Sequence, residues 1–260
     1  MSVRPLHQSV RPSPVFLAIV AATVAGGVMA WTCTTDTSRP LAYVGVFTFV
    51  IAGWLVSLCV HEFAHAYTAW RFGDRDVATR GYLTLNPLKY SHPLLSIGLP
   101  VLIIAIGGIG LPGGAVYVRT GWMTPRQRSV VSLAGPFTNL VFAALLLILT
   151  SALSDPAHGV FWAGMAFLGF LQVTAFVLNM LPVPGLDGYG ALEPHLSPQT
   201  QRAVAPAKQW GLLVLLLLLF SPGLNRWFWQ LVLWFFDFSG VARPLVWLGS
   251  DLTRFWSAWF

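Results

Sequence analysis

Ser57-Leu58-Cys59-Val60-His61-Glu62-Phe63-Ala64-His65-Ala66 is the stretch on which the reading of this chain turns. His61, Glu62 and His65 spell H-E-x-x-H. On a helix, residues four apart lie one above the other on the same face, so the two imidazoles can grip one metal ion. Glu62 follows the first imidazole and can reach a water held there. Two neutral imidazoles with an open position suit zinc, and the carboxylate suits a general base. Residues 41–60, just upstream, carry no charge and include Phe47, Val50, Ile51, Trp54 and Leu55. The motif therefore continues an apolar helix inside a membrane, where ionisable groups are costly and mark function. The bland alternative, a buried histidine pair with a chance glutamate, leaves three polar residues in hydrocarbon without a purpose.

Composition supports that setting. Only 9% of the 260 residues are charged, against about 25% in soluble domains, and the mean hydropathy is +0.69. This predicts an all-α polytopic membrane protein, one domain over residues 1–260, with about five to six transmembrane helices. The net charge is +6, but the basic residues sit in short loops. There they set orientation, and no nucleic-acid partner is expected. Cys33 and Cys59 cannot build a disulfide framework. Arg4, His7 and Arg11 before the apolar run 15–31 look like a signal peptide. No A-x-A-like site closes the run, so an uncleaved first span is expected.

In chain order, spans are expected at 15–31, 41–70, 130–153 and 160–181, with a further run at 204–220. The tail 226–260 holds six of the twelve tryptophans, a residue that favours membrane interfaces. Residues 81–86 alternate like a short strand and Asn86-Pro87 ends it; residues 115–118 form a second candidate strand. Both are expected to be membrane-associated.

A catalytic zinc usually takes a third protein ligand. Of nine acidic residues, only Glu62 and Asp187 lie in or beside the apolar spans that precede the C-terminal region. Asp187 sits among Pro182, Pro184, Gly185 and Gly188, where a helix breaks. Irregular backbone at membrane depth is tolerated where it lines a cavity or is buried in protein. A broken helix presenting a carboxylate to a metal would look like this; so would a loop in which Asp187 merely caps the next helix.

The order of these motifs resembles the site-2 protease family of intramembrane zinc metalloproteases. The resemblance rests on His61-Glu62-Phe63-Ala64-His65, then Ala134-Gly135-Pro136 with Asn139, then Asn179-x-x-Pro182 leading to Leu186-Asp187-Gly188. It spans about residues 41–192, with C-terminal helices over 204–260. It implies one catalytic Zn2+ held by His61, His65 and Asp187, with Glu62 as base and Asn179 near the reacting atoms. Asn139 is carried over as well; a helix–helix hydrogen bond is the plain alternative for each asparagine. It also implies cleavage of membrane-anchored proteins, single-span ones among them, by a compact form lacking PDZ or CBS domains. The competing class is a non-catalytic zinc-binding protein, a pseudoprotease or a metal transporter. Against it, Glu62 is present and the polar groups converge on one point.

One zinc can touch His61 and Asp187 only if both lie at similar depth, so the chain must cross an odd number of times between them. Residues 130–153 supply one crossing. Residues 94–111, punctuated by Gly98, Pro100, Gly107, Gly108 and Gly110, are therefore expected to be re-entrant or to lie against the interface. The basic segments 71–89, 119–128 and 202–208 then face the cytoplasm, and the Lys- and Arg-free loop 154–159 faces outward. This predicts a multi-pass protein of the cell membrane with its site toward the cytoplasmic side.

Overall fold

A computed structural model of the protein describes residues 10–90, 98–105, 116–254 and 256. Its α-helices are α1 (Pro14–Thr32), α2 (Pro40–Arg71), α3 (Asp76–Thr79), α4 (Leu99–Ala105), α5 (Pro125–Leu153) and α6 (Gly159–Asn179). They continue with α7 (Asp187–Leu192), α8 (Pro198–Val204), α9 (Gly211–Phe220), α10 (Pro222–Asp237) and α11 (Arg243–Thr253). Their starts are written in the sequence. Ser13 caps α1 by accepting the Phe16 N–H, with Pro14 in the first turn. Thr124 and Gln127 form a reciprocal capping box at α5, with Pro125 next.

Among the described residues, four helical stretches are long and apolar enough to cross a membrane: α1, α2, α5, and α6 with the short turn before it. The run 204–220 divides into a 3-10 stretch, Ala205–Trp210, and the ten-residue α9. Ten residues rise about 15 Å, half of a hydrocarbon core. Helix α10 buries Phe228, Val232 and Phe236 at a spacing of four and exposes Trp227 and Trp234. That stripe packs on α6, where Phe170 stacks on Trp229 and meets the Phe236 edge.

Helix α6 is the hub. It is buried on nearly every face, and Gln172 and Thr174 are fully enclosed. Close backbone approaches seat its neighbours. A Cβ on Gly249 of α11 would collide with the Ala163 carbonyl, and Leu147 of α5 fills the space beside Gly169. Helices α1 and α2 touch in the same way through Gly26 and Gly45. At the α5–α6 turn, the Trp162 indole N–H, helped by His158 and the Ala157 amide, holds the Asp155 carboxyl below its ordinary value.

Two expectations about strands change. Residues 81–86 form no strand: Tyr82–Thr84 is a 3-10 turn between Gly81 at φ +78° and Leu85 at φ +56°. Thr84 Oγ1 donates back to the Gly81 carbonyl at 2.6 Å. Tyr82 and Leu83 are consecutive and both buried, which one face of a pleat cannot do. The second candidate, 115–118, begins outside the described residues. Its remainder, Val116 to Val118, joins no sheet among them. Of the segment 94–111, expected to be re-entrant or to lie against the interface, α4 is a seven-residue helix, about 10 Å long and too short alone to span. Residues 94–97 and 106–111 lie outside the described residues.

Candidate metal centre

Two elements bring the ligand candidates together. His61 and His65 lie one turn apart on α2, both buried, and Asp187 opens α7. Taken one atom per residue, their donor atoms all lie within 4.8 Å of one another, and each imidazole faces its own Asp187 oxygen. His61 Nε2 and His65 Nε2 are 3.1 Å apart. Asp187 Oδ2 is 3.3 Å from the first, and Oδ1 is 3.4 Å from the second. Tetrahedral zinc, with ligand atoms about 2.0–2.1 Å away, sets donor separations of about 3.3–3.4 Å. The donor set therefore fits one zinc-sized ion.

The imidazoles are also turned the right way. His61 Nδ1–H donates to Asn139 Oδ1 at 2.6 Å, and His65 Nδ1–H donates to the Val131 carbonyl at 2.7 Å. Both partners lie on α5. Each bond places the ring proton on Nδ1 and leaves the Nε2 lone pair facing Asp187, the arrangement that second-shell partners impose on metal-binding histidines. Space for an ion comes from Gly135, also on α5. A Cβ there would overlap the Nε2 atoms of both histidines. Pro136 follows inside the helix. It has no N–H for the Ser132 carbonyl, one residue beyond the carbonyl that receives His65.

The helix break at Asp187 is as expected from its prolines and glycines. Helix α6 ends at Asn179, Gly185 turns at φ +102°, and α7 starts at Asp187. Gly188 packs against the Met180 carbonyl, leaving no room for a side chain. Asp187 is not a cap. The N-cap position is Leu186, no side chain caps the helix, and the Asp187 carboxylate faces the histidines. Glu193, the other acid nearby, pairs with Lys208 at 2.6 Å. His195 meets Ser129 at 2.9 Å.

Glu62 is buried beside His61, and its Oε2 accepts the Val116 N–H at 3.0 Å. That amide is held in place from its other side. Buried Asp74 accepts the Arg119 N–H at 2.6 Å and the Asp76 N–H at 3.1 Å, while Arg119 pairs with Asp76 at 2.7 Å. Asn179 is buried at the end of α6, and its side chain makes no hydrogen bond among the described residues. Sequence reasoning did not find Gly135 as the floor of the centre, the Val131 carbonyl, or the Val116 amide. Gly135 alone left a signal, in the Ala134-Gly135-Pro136 triplet.

No family model and no solved structure matches the chain. Curated proteins do. The chain is 72% identical over its full length to the provisionally named zinc metalloprotease Rip2 of Mycolicibacterium smegmatis, all of which is covered. It is 63% identical over its full length to Rip2 of Mycobacterium tuberculosis, again entirely covered. The zinc metalloprotease YwhC of Bacillus subtilis, likewise provisionally named, is 32% identical over 76% of this chain and 94% of its own. With the donor triangle in place and relatives matching end to end, the chain belongs to the site-2 protease family of zinc metalloproteases.

Proposed function

We propose that the protein is an intramembrane endopeptidase of the multi-pass type. It hydrolyses peptide bonds in or near the transmembrane segment of membrane-anchored proteins, as regulated intramembrane proteolysis requires. The observation that carries this reading is the triangle of His61, His65 and Asp187 donors on a helix apolar enough to cross the bilayer. One zinc ion, when bound, supplies Lewis-acid polarisation of the scissile carbonyl and a lowered pKa for water. His61, His65 and Asp187 hold it. Glu62 takes the proton of the attacking water and returns it to the leaving amine. Asn179, at the end of α6, donates to the oxygen on which negative charge develops.

The substrate helix hides its peptide bonds in its own hydrogen-bond ladder, so it must unwind before it is cut. Substrates with helix-weak residues near the cleavage site fit best. The segment 116–118, with Val116 held by Glu62 and the next residue, Arg119, held by Asp74, would pair with the unwound chain as an added strand. The site faces the cytoplasmic side of the cell membrane. The basic segments 71–89, 119–128 and 202–208 contrast with the loop 154–159, which has no Lys or Arg.

Glu62→Gln in the full-length protein, reconstituted with a single-span substrate, tests the reading. Cleavage should fall by about 10²–10⁴-fold while bound zinc stays at the wild-type level. Turnover near wild type would overturn it.

A further inference from the structure

A polar chain runs through the middle of the helix bundle and ends on His61. Ser57 Oγ–H donates to the Trp54 carbonyl at 2.8 Å, one turn before the motif on α2. Its lone pairs accept the Gln172 side-chain N–H at 2.8 Å, from α6. Gln172 Oε1 accepts the Asn139 side-chain N–H at 2.8 Å, on α5. Asn139 Oδ1 then accepts His61 Nδ1–H at 2.6 Å. Ser57, Gln172, Asn139 and His61 are all buried, with Gln172 fully enclosed. Hydrogen bonds of this length in an apolar interior are strong when complete and costly when one member is left unpaired.

The chain has a direction. Asn139 carries a donor and an acceptor on neighbouring atoms of one amide. If its N–H₂ faces Gln172, its oxygen faces His61, and His61 must carry its proton on Nδ1. If the amide turned over, N–H₂ would face His61 and force the proton to Nε2, where no lone pair remains for a metal. What prevents the turn is the Gln172 carbonyl, and what orients Gln172 is the Ser57 oxygen, whose own proton goes to the Trp54 carbonyl and leaves only lone pairs for Gln172.

We infer that Gln172 and Ser57 are positioning residues that hold His61 in its metal-binding tautomer through Asn139, though neither lies within the donor triangle. This inference rests on the zinc-protease reading above.

The test is zinc affinity of the purified full-length protein in detergent, by competition with a chromophoric chelator, with no turnover measured. Gln172→Leu removes the acceptor for Asn139 and should weaken zinc binding about 10–100-fold, the range seen for second-shell partners. Gln172→Glu keeps an acceptor facing Asn139 and should stay within about threefold of wild type. A role in packing alone predicts the reverse order, because a buried carboxylate is costlier than a leucine. Equal affinities for wild type and Gln172→Leu, or a Gln172→Glu variant weaker than Gln172→Leu, would overturn the inference. If Gln172→Leu does not fold, Ser57→Ala decides: a loss of about three- to tenfold supports the relay, and unchanged affinity sinks it. His61→Ala separates the two readings. If it binds zinc like wild type, the metal site itself is misassigned; if it alone loses zinc, only the relay fails.

Discussion

Gly135 of α5 lies so close to His65 of α2 that any β-carbon on it would overlap the imidazole Nε2. The helix that orients both histidines also leaves the opening into which their lone pairs point. Gly135→Ala should therefore remove zinc without unfolding the bundle, because the collision is with the ligand atoms and not with the surrounding backbone. Metal analysis of the purified variant should find less than about a tenth of wild-type zinc, with helicity by circular dichroism unchanged. A variant that is fully loaded and active would show that the histidines have space that the structure denies them.

Asp187→Ala should lower zinc content and activity together, since one of three donors is lost. Asp187→Asn, which keeps the shape but not the charge, should recover part of the binding and little of the activity. Full occupancy in Asp187→Ala would return this residue to the role of a loop carboxylate.

Asp74 separates substrate handling from metal binding. Its buried carboxylate accepts the Asp76 N–H and the Arg119 N–H, and the second of these fixes the segment that runs on from Val116. Asp74→Ala strands both donors, at a cost of about 1–3 kcal/mol each where they stay dry. Amide exchange at residues 116–120 should accelerate, and kcat/KM should drop while zinc content is retained. Unchanged exchange there would mean that the segment is anchored by other contacts.

Orientation can be read with an impermeant thiol reagent on intact cells. Cys33 and Cys59 are buried and would be replaced first. Single cysteines at the exposed positions Leu88, Gly121 and Ala157 then report three loops. Labelling from outside should occur at Ala157 only. Labelling at Gly121 from outside would mean that the segment between Tyr90 and Val116 crosses the membrane, and the depth argument joining His61 to Asp187 would need another crossing.

Much of this was legible in the residues themselves. The four-residue spacing of His61 and His65 is a property of any α-helix, so their shared face needed no tertiary knowledge. Uninterrupted apolar runs marked the four long helices, because hydrocarbon selects length and polarity directly. Pro182, Pro184 and Gly185 announced a helix break before Asp187, because they act on the local backbone. The alternation at 81–86 misled for the same reason in reverse: a two-residue period does not distinguish a pleat from a tight turn whose consecutive side chains are both buried. The division of 204–220 was likewise hidden, since an apolar run does not show where the last continuous turn will end.

The company that His61 keeps was decided only in three dimensions. Asn139 is 78 residues away, and the Gln172–Ser57 contact closes a gap of 115. Helices α5 and α6 are apolar around most of their circumference, so no periodicity in their sequence says which side faces α2. That rotation is set by close packing, through contacts such as Gly169 against Leu147. The sequence alone determined that two histidines share one face of an apolar helix, and it left Asp187 open between ligand and cap. The packing of three helices determined which nitrogen of each histidine is free, because a ring proton follows the hydrogen bond that tertiary contact provides.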